Sequence, residues 1–169
     1  METEKALEIA ESLLKEFAVS TNRPEANRLD VAIDRTNLKP AVKALLGNKH
    51  WGYLAAITGL DNAVWKVDET TKERTLDPKG GSLEVLYHFC KSAAVTTLRV
   101  ALPYNDAKVE SICDVISSVS LYEREAAELF GIDFIGTPNT DHLVLPDEWP
   151  ADVYPLRKSF TGFEKKAKG

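Results

Sequence analysis

Apolar positions along the chain recur with two periods, and the change from one to the other marks out the elements. In residues 3–18, Leu7, Ala10, Leu14 and Phe17 share one face, with Glu4, Lys5, Glu8, Glu11 and Lys15 on the other, which predicts an amphipathic helix. Turn chemistry around Pro24 follows from Thr21 to Asn27. Leu29, Val31 and Ile33 then alternate with Asp30 and Asp34, the pattern of a half-buried strand. Thr36 or Asn37 caps a second predicted helix with a buried stripe of Leu38, Val42, Leu45 and Leu46, and Gly47 suits its end. Trp51 to Leu60 predicts a strand, with Val64 to Val67 as a short continuation. The turn residues Asp77-Pro78-Lys79-Gly80-Gly81 precede two more predicted strands, Leu83 to Phe89 and Val95 to Leu102. From Asp106, the spacing of Val109, Ile112, Cys113 and Ile116 predicts a third helix, and Leu121 to Phe130, stopped by Gly131, a fourth.

Three strands in succession, joined by hairpin-length connections, argue against an alternating βαβ fold. The order predicts an α+β class: a single domain over residues 1–135 with a mainly antiparallel sheet covered by helices, followed by an extended arm over residues 136–169. The arm is set apart by its prolines, Pro138, Pro146, Pro150 and Pro155, each of which lacks an N–H and fixes φ. Between them lie Leu143, Val144, Leu145, Trp149, Val153, Tyr154, Leu156, Phe160 and Phe163. Such a segment is too broken to fold alone and too apolar to remain solvated. It is expected to lie along a surface, part of it the chain's own and part a partner's.

The 169 residues are 44% hydrophobic and 28% charged, enough apolar material for one soluble core. A net charge of −5 gives no general attraction to nucleic acid or anionic lipid, and no nucleic-acid partner is expected. Lys165, Lys166 and Lys168 read as a solvated basic end. Cys90 and Cys113 form no C-x-x-C, so a disulfide framework, a zinc site or an iron–sulfur site is not expected, and reduced thiols in a cytosolic setting are. The acidic start Met-Glu-Thr-Glu-Lys is not a secretory signal, and no run has the ~20 apolar residues that span a bilayer. Neither a dinucleotide fingerprint nor a P-loop occurs, and His50, His88 and His142 are scattered. No catalytic residue and no metal ligand is assigned.

The charge-dense run Ser120 to Ile132 has a structural reading: Ser120 and Glu123 have capping-box spacing, and Arg124 and Glu128 form an i, i+4 pair. It also has an interaction reading. One Arg124 cannot satisfy Glu123, Glu125 and Glu128 together, so one or more of them is free to meet a basic group on a partner. Arg157-Lys158, held between Leu156 and Phe160, reads the same way in the arm, or as two snorkelling surface cations.

These residues carry a resemblance. The run Glu123-Arg124-Glu125-x-x-Glu128-Leu129-Phe130-Gly131-Ile132, then Phe134, Gly136-x-Pro138, Leu143-Val144-Leu145-Pro146 and Pro155-Leu156-Arg157-Lys158, resembles the signature of the thirty-kilodalton subunit of the proton-pumping NADH–quinone oxidoreductase, respiratory complex I. The family includes the equivalent subunit of membrane-bound, energy-converting nickel–iron hydrogenases. The match runs from Tyr122 to Phe160, and the region from Trp51 to Leu102 is compatible with it. Two departures weigh against NADH as the donor: Gly136-Thr137-Pro138-Asn139-Thr140-Asp141 where Gly-His-Pro and basic residues are usual, and Ser159 where an acid usually follows Arg-Lys. Leu145-Pro146-Asp147-Glu148-Trp149-Pro150 looks as much like the hydrogenase-type and donor-divergent relatives.

The resemblance implies a cofactor-free subunit of the hydrophilic arm, held peripherally on the cytoplasmic side through other subunits. Its partners would be the hydrogenase-related large subunit and the small iron–sulfur subunit, with the membrane arm reached indirectly. Iron–sulfur clusters, and nickel–iron in the hydrogenase version, would sit in those partners. Glu123, Arg124, Glu125, Glu128, Leu145, Trp149, Leu156, Arg157 and Lys158 are the expected interface. The rival readings are the hydrogenase counterpart of this subunit, a stand-alone binding module for a small ligand or peptide, and an independent enzyme.

Overall fold

A computed structural model describes residues 2–47, 50–77 and 80–163. Helix α1 (Thr3–Leu14) buries Ala6, Leu7, Ala10 and Leu14, the stripe its sequence predicts, and ends one turn earlier than expected. Strands β1 (Ala18–Asn22) and β2 (Arg28–Ile33) follow as an antiparallel pair. Asp34 caps a single 3-10 turn by accepting from the Thr36 amide, and helix α2 (Leu38–Leu46) begins there. After it come β3 (Tyr53–Asp61), a small hairpin of β4 (Trp65–Val67) and β5 (Arg74–Leu76), and the long strands β6 (Leu83–Lys91) and β7 (Ala94–Leu102). The last elements are β8 (Lys108–Glu110), α3 (Val119–Phe130) and β9 (Asp133–Ile135).

Five strands form one sheet in the order β1-β2-β7-β6-β3, antiparallel throughout except for the parallel pair β2–β7. Strand alternation sorts its two faces. Leu29, Val31, Leu83, Val85, Tyr87, Phe89, Leu98 and Val100 are all wholly buried and join the side chains of α1, α2 and α3 in one core. Burying such side chains stabilises by roughly 1.5–3 kcal/mol each. Trp51 fills a gap in that core and donates its indole N–H to the Ala6 carbonyl at 2.6 Å, which ties the approach to β3 to α1. The opposite face is polar. Arg99 joins Asp30 (3.0 Å) to Glu84 (2.7 Å), and the His88 ring sits between Thr58 and Thr97.

Two sequence expectations are corrected. The helix expected from Asp106 does not form. Val109 instead lies in β8, paired in parallel with Phe134 of β9, and both side chains are buried. Ile112 and Cys113 lie in a loop whose polar groups are taken up by a side chain of α3, as set out below. The turn expected over Thr21 to Asn27 starts as strand: Asn22 pairs with Asp30 in β1–β2. Beyond Gly136 the described chain forms turns and bends without helix or strand. Pro78 and Lys79 of the expected turn, and the lysines at 165, 166 and 168, lie outside the described residues.

Candidate functional site

Helix α3 carries four charged side chains in its middle, and Glu123, Arg124 and Glu128 each have a different task. Glu123 is wholly buried. Its carboxylate accepts from the Ile112 amide (2.9 Å), the Ser111 hydroxyl (2.7 Å) and the Cys113 thiol (3.3 Å). A buried acid survives only when donors surround it, and here the loop 111–113 supplies them. The same bonds explain why that loop is not a helix. Neither the capping box nor the Arg124–Glu128 pair expected from spacing is made: Ser118, not Ser120, sits at the N-cap, with no side-chain cap. Burial pushes the Cys113 thiol up, and the adjacent Glu123 charge adds to the shift. Burial likewise raises the Tyr87 hydroxyl, with Glu123 and Cys113 contributing.

Arg124 and Glu128 point to the other side and hold the arm. Arg124 donates from Nε to the Asp141 carbonyl and from Nη2 to the His142 carbonyl, both at 2.9 Å. Glu128 accepts from three successive amides, Leu143 (3.0 Å), Val144 (2.7 Å) and Leu145 (3.3 Å), and faces His142 Nδ1 at 3.1 Å. Burial alone raises the Glu128 carboxyl, but the hydrogen bonds from Leu143, Val144, His142 and Leu145 together outweigh it and hold the group below the usual range.

A second clamp closes the C-terminal end of α3. Gly131 takes the left-handed conformation (φ +69°) and donates its N–H to the Ala127 carbonyl. The carbonyls this leaves open are met by the arm: Leu156 donates its amide to Leu129, and Arg157 donates to Phe130 (2.7 Å) and Gly131 (3.3 Å). A cation at a helix C-terminus also suits the macrodipole. The Arg157 guanidinium lies 4.4 Å over the Tyr154 ring. A Cβ on Gly131 would lie 2.5 Å from that ring, so the close approach requires glycine. One residue further on, the Lys158 amide donates to Asp61 (2.7 Å), whose carboxylate also accepts from Ala63 N–H and the Tyr104 hydroxyl. Burial, then Asp61, raises that hydroxyl.

The arm also has a small core of its own, which spans the second clamp. Trp149 donates its indole N–H to Val153 and packs at 6.4 Å from Phe160 and 5.2 Å from Phe163. Leu143, Val144, Leu156 and Phe163 stay largely exposed. Of the residues expected at an interface, the structure therefore gathers Arg124, Glu128, Leu145, Trp149, Leu156, Arg157 and Lys158 along one arm and its seat. Glu123 lies inside the body, and Glu125 faces outward on α3. Asp61, Tyr104, His142 and Tyr154 also belong to this assembly. The sequence offered only their position beside motif residues for the last two, and no signal for Asp61 or Tyr104.

Among the described residues no group of three or more His, Cys, Asp or Glu is placed to hold a metal ion, and no helix is long and apolar enough to cross a membrane. What the geometry does is fix an extended, partly apolar ribbon to a rigid domain.

Residues 31–166 match the family described as the respiratory-chain NADH dehydrogenase 30 Kd subunit. The chain is 30% identical over 163 residues to a subunit of the F(420)H(2) dehydrogenase of Methanosarcina mazei, covering 94% of this chain and 93% of that one. It is 32% identical over 138 residues to hydrogenase-4 component G of Escherichia coli, covering 80% of this chain but 22% of that much longer relative. A chain in the structure of the membrane-bound sulfane sulfur reductase, an archaeal respiratory membrane complex, shares the fold with a TM-score of 0.70 at 20% identity, over 93% of this chain and 86% of that one. The family match takes in β3, β6 and β7 of the sheet together with α3 and the arm, and the chain belongs to the family of the respiratory-chain NADH dehydrogenase 30 Kd subunit.

Proposed function

We propose that this chain is a cofactor-free structural subunit in the peripheral part of a complex I-like, membrane-associated oxidoreductase. Its arm braces the hydrogenase-related large subunit, beside the small iron–sulfur subunit, and the redox centres reside in those companions. The chain is held on the cytoplasmic side through them and meets the membrane arm indirectly. The observation that carries this reading is the arm itself: it is fixed to α3 at two places while the side chains of Leu143 and Val144 stay exposed. Apolar groups displayed on a rigid ribbon suit a protein surface better than water.

A tagged chain purified from native membranes tests it. Wild type brings down a hydrogenase-related large chain, and the double variant Leu143→Ser, Val144→Ser loses that companion while keeping its own melting temperature. Recovery of the wild-type chain alone would overturn the proposal.

The hydrogenase version is the second reading, supported by the match to hydrogenase-4 component G. The large companion decides between them, since a nickel–iron site needs two C-x-x-C pairs there. The donor follows from the companions too. The departures at Thr137, Asn139, Thr140, Asp141 and Ser159, with the nearly full-length match to an F(420)H(2) dehydrogenase subunit, favour a donor other than NADH. A stand-alone module predicts an arm folded on its own body, which is the conformation found, so protease resistance of the isolated chain does not separate that reading from ours. The composition of the purified assembly does.

A further inference from the structure

Strand β3 ends the five-stranded sheet, and its outer edge pairs with no strand among the described residues. Its register against β6 shifts between Leu54 and Ala56 and is regular from Ala56 to Asp61. Exposed edges are usually blunted by brevity, lysine or proline. β3 has nine residues and carries neither lysine nor proline. The opposite edge, β1, has five residues, all but Ala18 exposed.

Helix α3 packs against β3. The Tyr122 hydroxyl reaches the Ala55 carbonyl at 3.5 Å, and the Phe130 ring sits so close to Gly59 that a Cβ there would lie 2.5 Å from it. Between strand and helix runs an open groove lined by Thr58, Gly59, Tyr122, Glu125, Leu129 and Leu156. Leu129, Leu156 and Tyr122 give it apolar and aromatic surface, Thr58 a polar one, and its one acidic side chain is Glu125. Glu123 is spent on the 111–113 loop and Glu128 on the arm, whereas Glu125 makes no hydrogen bond or ion pair among the described residues.

We infer that this groove takes an extended segment of another chain as a sixth strand along β3, with a lysine or arginine of that segment opposite Glu125 and apolar side chains toward Tyr122, Leu129 and Leu156. Main-chain pairing supplies the affinity in this mode, and the side-chain pattern supplies the selection. The groove shares Leu156 with the arm, whereas the β3 edge and Glu125 belong to the body, so the test below reads those body residues and not Leu143 or Val144.

The test is a titration of the full-length, 15N-labelled chain with a synthetic peptide as long as β3, alternating valine and threonine around a central lysine. The amides of residues 56–60 and 121–129 should shift and those of β1 should not. Replacing the peptide's lysine by glutamate should weaken binding about fivefold, the scale of an exposed charge pair. Glu125→Lys should reverse that preference while leaving the melting temperature unchanged. Shifts confined to β1, no shifts, or indifference to the peptide's charge would overturn the inference. So would a dimer in sedimentation that the peptide dissociates, which assigns the groove to a second copy. Tighter peptide binding after truncation beyond Phe163 would assign it to the chain's own end and overturn it equally.

Discussion

Arg124 and Glu128, one turn apart on α3, grip the same stretch of arm by opposite main-chain groups: the arginine takes the carbonyls of Asp141 and His142, and the glutamate takes the amides of Leu143, Val144 and Leu145. Removing the acid leaves three amides aimed at a gap. Glu128→Ala should weaken arm docking by about 2–3 kcal/mol, the scale of hydrogen bonds to a charged acceptor. Hydrogen exchange at residues 143–145 measures it, and added formate should restore part of the protection by taking the carboxylate's place. Unchanged exchange in the variant would show that the clamp contributes nothing.

The same carboxylate sets a pH dependence. Its folded pKa lies below the ordinary value, so its contribution is fully present above about pH 5 and is lost as pH falls through the depressed folded value. His88 acts in the same direction. Burial, with repulsion from Arg28 and Arg99, lowers its pKa, so protonating it in acid costs stability below its unfolded value near 6.5. Exchange followed from pH 7 downward should show the arm amides opening in the acid range. In Glu128→Gln that acid step should be absent.

Glu123→Ala should act on the whole domain. It leaves the Ile112 amide and the Ser111 hydroxyl buried without their acceptor, and a loss of about 3 kcal/mol is expected in denaturant unfolding. Glu123→Gln, which keeps one acceptor oxygen, should lose less. Equal losses would mean that shape, not the carboxylate, matters there.

Gly131→Ala adds a Cβ at φ +69° and against the Tyr154 ring and the Arg157 guanidinium. Left-handed strain alone costs about 1 kcal/mol. The contact should also push Tyr154 away and raise exchange at Leu156. Tyr154→Ala in the same background should recover the second effect and not the first.

Gly59→Val forces a side chain into the Phe130 ring, and overpacking of this kind costs about 1–3 kcal/mol. Phe130→Leu should relieve most of it, as read by thermal melts of the single and double variants.

The strong periodicities were legible: Leu29-Val31-Ile33, the stripe of α2 and the long strands β6 and β7 lie where their patterns place them. The parallel pairing of β2 with β7 was not, because alternation along a strand says nothing of its neighbour's direction. Val109 to Ile116 misled because helical spacing over a few residues also fits a short buried strand followed by a loop, and the arbiter, Glu123, is distant in sequence from Ile112. Strand β1 was missed because Ser20, Thr21 and Asn22 sit on an edge facing water and carry no apolar alternation. In the site, the sequence marked the charged residues of α3 and offered them to one another or to a partner. Within the chain, Arg124 meets carbonyls and Glu128 meets chiefly amides, groups that every sequence possesses and none displays.

The clamp made by Arg124 and Glu128 seizes the arm's main chain and leaves the side chains of Leu143, Val144 and Leu145 outside the grip. At these three residues the path of the ribbon is therefore decoupled from what it displays. Replacing those residues rewrites the contact without redirecting the thread, so a single scaffold can be refitted to companions of quite different chemistry by changes confined to its outward edge.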